Sequence, residues 1–344
     1  MKIGKIDEAV FRSLIAGKFG RRDRSVLVPP LTGVDAGVVD LGGGRVLVVA
    51  EDPIFTMPRL PLETFGRFTV HIGASDVAVT GVRPRYLTYT LLLPPETEAG
   101  AIGLLVDAIH RTARDLGIAI VGGHTGFYPG FTAPTIGGIT VFGLARKGEY
   151  VTPAGARPGD EIILTKGPAI ETAGLLAVLR EEELLARYPA ALVERAKGLT
   201  QAITVVEDAL TAKAAGGVTA MHDATEGGVI GGLAEIAAAS GVGMEADEGL
   251  FVMPDEVRMV CEAFAIDPVR AIAEGSLLVT VRPRSSAGVL ARLKRKRIAA
   301  SVIGKVLRDR RRRVLRRADG RVEPLAVPDQ DPFWPAFFSG LEKV

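Results

Sequence analysis

Residues 45–50 read Arg-Val-Leu-Val-Val-Ala, an almost wholly apolar run that suits a strand packed inside a sheet. With Ala-Gly-Val-Val-Asp-Leu-Gly-Gly-Gly at 36–44 before it, the run reads as the second arm of a hairpin turning in its glycines, with both faces buried. Further along, the period changes. Ile102, Leu105, Ile109, Ala113 and Leu116 recur at intervals of three or four, which predicts a helix over 97–116 closed by Gly117. Residues 118–126 and 134–147 read as strands. A chain that must bury both periods is α/β or α+β.

A Gly- and Pro-rich stretch, 148–169, interrupts the pattern and places a domain boundary near residue 150. The expected division is 1–150 and 151–344, and about two domains fit the length of 344 residues. In the second half, 161–167 predicts a strand and 169–179 the start of a helix. Residues 223–240 form a turn entering a helix with Val229, Leu233, Ile236 and Ala237 on its face. Residues 276–281 and 300–307 read as strands. The first 25 residues suggest a short amphipathic helix and a basic connector.

Composition excludes several classes. A single cysteine rules out an intrachain disulfide and fits a reducing cytoplasm. Cys261 shares a helical face with Val257 and Phe264, so a core thiol is expected. No run approaches the ~18–20 apolar residues of a membrane span, and the N-terminus lacks a signal-peptide core, so a cytoplasmic protein without membrane contact is expected. Basic clusters at 292–297 and 308–321 lack interleaved aromatics in a chain of net charge +2. They read as a solvated hairpin face rather than a nucleic-acid site.

The chemistry lies in acids set among small residues at expected strand ends or turns: Asp35 in GVDAG, Glu51 and Asp52 in VVAEDPI, Asp76 in GASDVAV and Asp223 in MHDATEGG. Brought together they repel unless a cation neutralises them, and hard oxygen donors of this kind suit Mg²⁺. Taken singly, each acid also suits a helix cap or a turn. VGGHTG at 121–126 follows an apolar strand and offers backbone N–H groups to a phosphate, although taken alone it is better accounted for by a tight turn. TEGG at 225–228 opens a helix, with Thr225 as the expected cap, and favours an anion. Lys166 ends a strand within reach of a phosphate, or is simply exposed.

The ordered set GVDAGVVDL, VVAEDPI, HIGASDVAVTGVRPRYLTYTLLLP, VGGHTGFYPG, LTKGPAIETAGLLA, HDATEGGVIGGLAEIA, EGSLLVTV and IGKV spans about residues 30–305. It resembles the superfamily of aminoimidazole ribonucleotide (AIR) synthetase (PurM), HypE, thiamine-monophosphate kinase and selenophosphate synthetase, and especially HypE-like, AIR synthase-related members. The resemblance implies a PurM-like fold: an N-terminal α/β domain pairing with its copy around a shared β-barrel, and a C-terminal mixed sheet with helices. It implies ATP and Mg²⁺, with Asp35, Asp52, Asp76 and Asp223 on the metal. Gly122, Gly123, His124 and Thr125 fall near the nucleotide, with Lys166, Thr225, Glu226 and Gly227 as second candidates. The implied reaction is phosphoryl transfer from ATP to an oxygen of a small substrate, or else ATP binding by a non-catalytic sensor or scaffold.

The sequence departs from the family at three presumed site positions. Val34 replaces an acid, Ser75 an Asn and Gly126 a Glu. HypE carries a reactive cysteine at its C-terminus, whereas this sequence ends FFSGLEKV. The expectation is therefore the shared scaffold without cyanation of its own tail.

Overall fold

The structure, a computed structural model, describes residues 3–6 and 8–341. A helical turn, α1 (Glu8–Val10), runs into a single wider turn over 11–15. This is all the described residues form of the expected amphipathic helix. Its apolar side chains Val10, Leu14 and Ile15 are exposed, so no packing extends it. Met1, Lys2 and Asp7 lie outside the described residues.

Strands β1 (Val26–Val28), β2 (Gly37–Gly42) and β3 (Arg45–Phe55) are followed by helix α2 (Leu62–Ala78), β4 (Pro84–Leu93), α3 (Ala99–Leu116), β5 (Ala119–Phe127) and β6 (Thr135–Arg146). The strands form one sheet in the order β1-β2-β3-β6-β4-β5, in which only β4 and β5 run parallel. The hairpin and the 97–116 helix stand where the sequence predicts them, and Gly117 closes α3 in the left-handed region at φ 72°.

The second half runs β7 (Glu161–Thr165), α4 (Ile170–Leu179), α5 (Glu181–Leu185), α6 (Ala190–Gly198), α7 (Val206–Ala215), β8 (Val218–Asp223), α8 (Gly228–Ser240), β9 (Gly243–Asp247) and α9 (Asp255–Ala263). It ends with β10 (Leu277–Val281), α10 (Pro283–Arg295), β11 (Ala300–Leu307), β12 (Arg313–Arg316), β13 (Val322–Pro324) and α11 (Phe333–Leu341). Its seven strands order as β13-β12-β9-β11-β7-β10-β8, antiparallel except for β12 on β9. The molecule is thus mixed α/β, with two sheets and helices on both.

Two expectations change. First, β3 is buried on one face only. Val46, Val48 and Ala50 are inside, whereas Leu47 and Val49 are half-covered. The same open face continues through Phe142 to exposed Tyr86 and Leu144. Second, Asp76 is not at a strand end or turn but inside the 17-residue helix α2. Glycines and β-branched residues weaken the helical signal there. They are present because α2 is squeezed between layers. A Cβ at Gly66 would lie 2.8 Å from the Leu105 carbonyl oxygen of α3, and one at Gly73 would lie 2.8 Å from Ile139 of β6.

This squeeze positions the site. Phe65, Val70, Ala74 and Val77 of α2 share one apolar cluster with Val48 and Ile139 of the first sheet and Ile163, Leu277 and Val279 of the second. Burial of each large side chain contributes roughly 1.5–3 kcal/mol. Asp76 is thereby fixed at the seam between the sheets.

Cys261 is buried in α9, and burial pushes its thiol up to about 12, as a core thiol requires. Several arginines of the basic 308–321 cluster are paired with acids. Arg312 pairs with Glu245 at 2.8 Å, and Arg317 pairs with Asp267 at 3.1 Å and with Glu248 at 3.3 Å. No helix of the described residues is long and apolar enough to cross a membrane.

Candidate functional site

Four elements each deliver one acid to the seam. Asp35 comes from the loop before β2, Asp52 from β3, Asp76 from α2 and Asp223 from the end of β8. They converge. Burial, then the charges of Asp52, Asp223 and Asp35, hold the Asp76 carboxyl well above the usual range. Burial and Asp35 push Asp223 up to about 6, against the opposing pull of His222 and Lys5. Burial also raises Asp52. None of the four is a helix cap, because α2 is preceded by Pro61 and α8 by Gly227. Thr225 is not the cap of α8 either.

His222, adjacent to Asp223 on β8, is buried between two further carboxylates. Its Nδ1 lies 2.8 Å from Asp35 Oδ2, and its Nε2 lies 2.5 Å from Glu235 Oε2 on α8. With an acceptor at each nitrogen, the ring satisfies both only as imidazolium. Burial works against that charge, but Asp35 and Glu235 outweigh it and raise His222 well above 6.5. Asp35, His222 and Asp223 offer ligand atoms within 4.8 Å of one another.

The site remains short of positive charge. Among the described residues, Asp52 Oδ2, both Asp223 carboxylate oxygens and Glu274 Oε1 are buried with no donor other than a proton shared between acids, Asp76 with Asp52 and Glu274 with Asp223. Such orphaned oxygens cost free energy. A hard divalent cation is the species they fit.

Glu274, just before β10, and Glu171, in the first turn of α4, extend the acid cluster. Burial, then Asp223 and Glu171, raise Glu274 well above the usual range. Burial pushes Glu171 up to about 7, although its Oε2 accepts from the Glu274 N–H at 3.2 Å. A raised carboxyl stabilises the fold below its ordinary pKa of 4.5, and that contribution is lost as pH rises through 7. Glu171→Gln mimics the neutral form. It is expected to match the parent at pH 4–5 and to be more stable at pH 8, by at most about 3 kcal/mol. Urea unfolding at the two pH values checks this, and equal stability at pH 8 overturns it.

The remaining expected residues divide. Thr225, Glu226 and Gly227 border the cluster. Thr225 Oγ1 accepts from Lys5 Nζ at 2.9 Å, and Gly227 N–H donates to Asp331 Oδ2 at 2.8 Å. Lys166 is neither exposed nor turned to the acids. Its ammonium is 2.8 Å from Asp208 and donates to the Thr204 carbonyl at 2.7 Å. Gly122, Gly123, His124 and Thr125 lie on β5, the exposed outer strand, beside a depression of about 220 Å³. Pairing puts Asp52, Ile139, Tyr89 and Gly123 on one row across the sheet. Three strand spacings separate its ends, about 14 Å. The glycine at 123 answers to this pairing, since a Cβ there would meet the Tyr89 carbonyl oxygen at 2.2 Å.

Comparison with known proteins identifies this architecture. The model of the AIR synthase related protein N-terminal domain matches residues 33–145, and that of the C-terminal domain matches residues 157–316. The chain belongs to the AIR synthase related protein family. A relative within it is carbamoyl dehydratase HypE of Escherichia coli K12, 31% identical over 74% of this chain and 73% of that one. A structure of the hydrogenase maturation protein HypE in complex with ATP superimposes with a TM-score of 0.68 at 23% identity, over 96% of this chain and 97% of that one. ThiL complexed with AMPPCP and TMP gives 0.69 at 19% identity, over 85% and 89%.

Two departures from the family pattern have structural counterparts. Ser75 Oγ accepts from the Val205 N–H at 3.2 Å and donates to the His71 carbonyl at 2.9 Å, so it links α2 to the segment before α7. At Gly126, a Cβ would lie 2.9 Å from the Tyr128 ring, which has taken that space and meets His124 Nε2 through its hydroxyl at 2.7 Å.

Proposed function

We propose that this chain is an ATP- and Mg²⁺-dependent enzyme that transfers the γ-phosphoryl group to an oxygen of a small substrate. The observation carrying this is the buried set of orphaned carboxylate oxygens on Asp52 and Asp223, joined by Asp35 and Asp76 from separate elements. These four acids would hold the metal, which supplies the positive charge shared by carboxylates and triphosphate. His222 and Glu235 orient Asp35 from behind. The N-terminal turn of α8 favours an anion. On this reading, Gly122, Gly123, His124 and Thr125 receive the far end of a nucleotide laid along the row from Asp52. Catalysis here is positioning and charge neutralisation. Nucleotide complexes of the HypE and ThiL structures support the assignment.

The proposed unit is a homodimer with a nucleotide-binding, dimerising part at 1–150 and a second part at 151–344. The open apolar face of the first sheet and exposed Ile120, Val121 and Phe127 on its outer strand support pairing.

Calorimetric titration of ATP with and without Mg²⁺ tests the reading. Mg²⁺-dependent binding near one site per chain, with ADP released on adding acceptors, is expected. A second reading, ATP binding without turnover, draws on Val34, Ser75 and Gly126, which stand where the family pattern has an acid, an Asn and a Glu. Tight binding with no turnover across an acceptor screen would favour it. Absence of binding overturns both.

A further inference from the structure

Residues 3–6 lie against the mouth of the acid cluster. At Gly4, φ is +111°, and a Cβ would lie 1.6 Å from Glu226 Oε1, so only glycine lets the backbone rest there. The Lys5 N–H donates to Glu226 Oε2 at 2.6 Å, and its ammonium donates to Thr225 Oγ1 at 2.9 Å. Lys5 as a whole is exposed, yet its ammonium group sits in the field of Glu235, Asp35, Asp223 and Asp76. Glu226 Oε1 in turn accepts from Trp334 Nε1 at 2.9 Å, at the start of α11. One glutamate thus ties the N-terminal strap and the C-terminal helix to the turn before α8.

The Lys5 ammonium, held on Thr225 two residues from Asp223, and a divalent cation on the carboxylates compete for the same negative charge. The orphaned oxygens of Asp223 show that Lys5 does not saturate it. We propose that Lys5 is a displaceable counter-ion: the strap neutralises the acid cluster until a divalent metal enters, and the metal then expels Lys5 and loosens the strap from Glu226. This rests on the reading that the acids take Mg²⁺. It makes metal entry and strap release one event, with Trp334 attached to it.

Titration of Mg²⁺ alone separates the possibilities. Calorimetry gives affinity, and the fluorescence of Trp334, the sole tryptophan, reports the Glu226 clasp. Lys5→Met removes the competing charge and is expected to tighten Mg²⁺ binding roughly tenfold or more. Lys5→Arg, which keeps the charge, is expected to stay near the parent. The parent's tryptophan signal is expected to change on adding Mg²⁺, and that of Lys5→Met to be shifted beforehand. If the parent binds Mg²⁺ and Lys5→Met binds it equally or more weakly, the counter-ion role fails while the metal reading stands. If neither binds Mg²⁺, both fail.

Discussion

Asp76→Asn is expected to abolish Mg²⁺-dependent nucleotide binding while leaving the fold at least as stable as the parent's. In the metal-free protein, burial and three neighbouring acids already favour the neutral Asp76 carboxyl. Asparagine reproduces that neutral form in nearly the same volume, so folding loses little. Binding loses a great deal, because the amide cannot supply the anionic oxygen that a hard cation requires. Removing a partner of a metal ligand already costs 10–100-fold in affinity, so loss of a ligand at this position should cost roughly a hundredfold or more. Asp223→Asn is expected to behave alike, since burial and Asp35 also raise its carboxyl. The measurement pairs calorimetry of Mg²⁺·ATP with urea unfolding of the same samples. A variant that binds like the parent rules out the metal assignment. A variant that binds poorly because it is unfolded shows the acid to be structural.

How much of this was legible from residues alone depends on what each signal encoded. The β2–β3 hairpin and α3 announce themselves by local period and turn glycines. Helix α2 does not, because its composition answers to close layers on both sides rather than to its own helical preference. The four aspartates were legible as acids that nothing nearby in sequence neutralises. Their convergence was not, since it is set by the packing of α2 between two sheets. His222, Glu235 and Glu274 flank or share the motifs already noticed, but an acid-neutralising histidine looks like any other histidine until both ring nitrogens have partners. Lys166 shows the converse: its placement after a strand suggested a phosphate ligand, whereas Asp208 on α7 takes up its charge. The GGHT segment carried two demands in one signature, and the close pairing of Gly123 with Tyr89 is the one geometry enforces.

His222→Gln is expected to be the most destabilising single change in the site, and its cost depends on pH. The imidazolium answers Asp35 on one side and Glu235 on the other. Glutamine leaves two half-buried carboxylates facing a neutral group, and breaking ion pairs to the buried His222 costs at most roughly 3–5 kcal/mol. A histidine whose folded pKa exceeds its ordinary 6.5 gives its full stabilisation below 6.5 and loses it as pH rises through the folded value. The deficit of the variant is therefore largest near pH 6 and shrinks on the alkaline side. Unfolding of parent and variant from pH 6 to 9 in EDTA measures this directly, and equal stability at pH 6 would mean that the ring is neutral. Adding Mg²⁺ extends the argument. A divalent ion among Asp35, Asp52, Asp76 and Asp223 supplies charge that the variant lacks, so Mg²⁺ should raise the stability of His222→Gln more than that of the parent. A histidine that served only to fill space would leave the Mg²⁺ response of the two proteins identical.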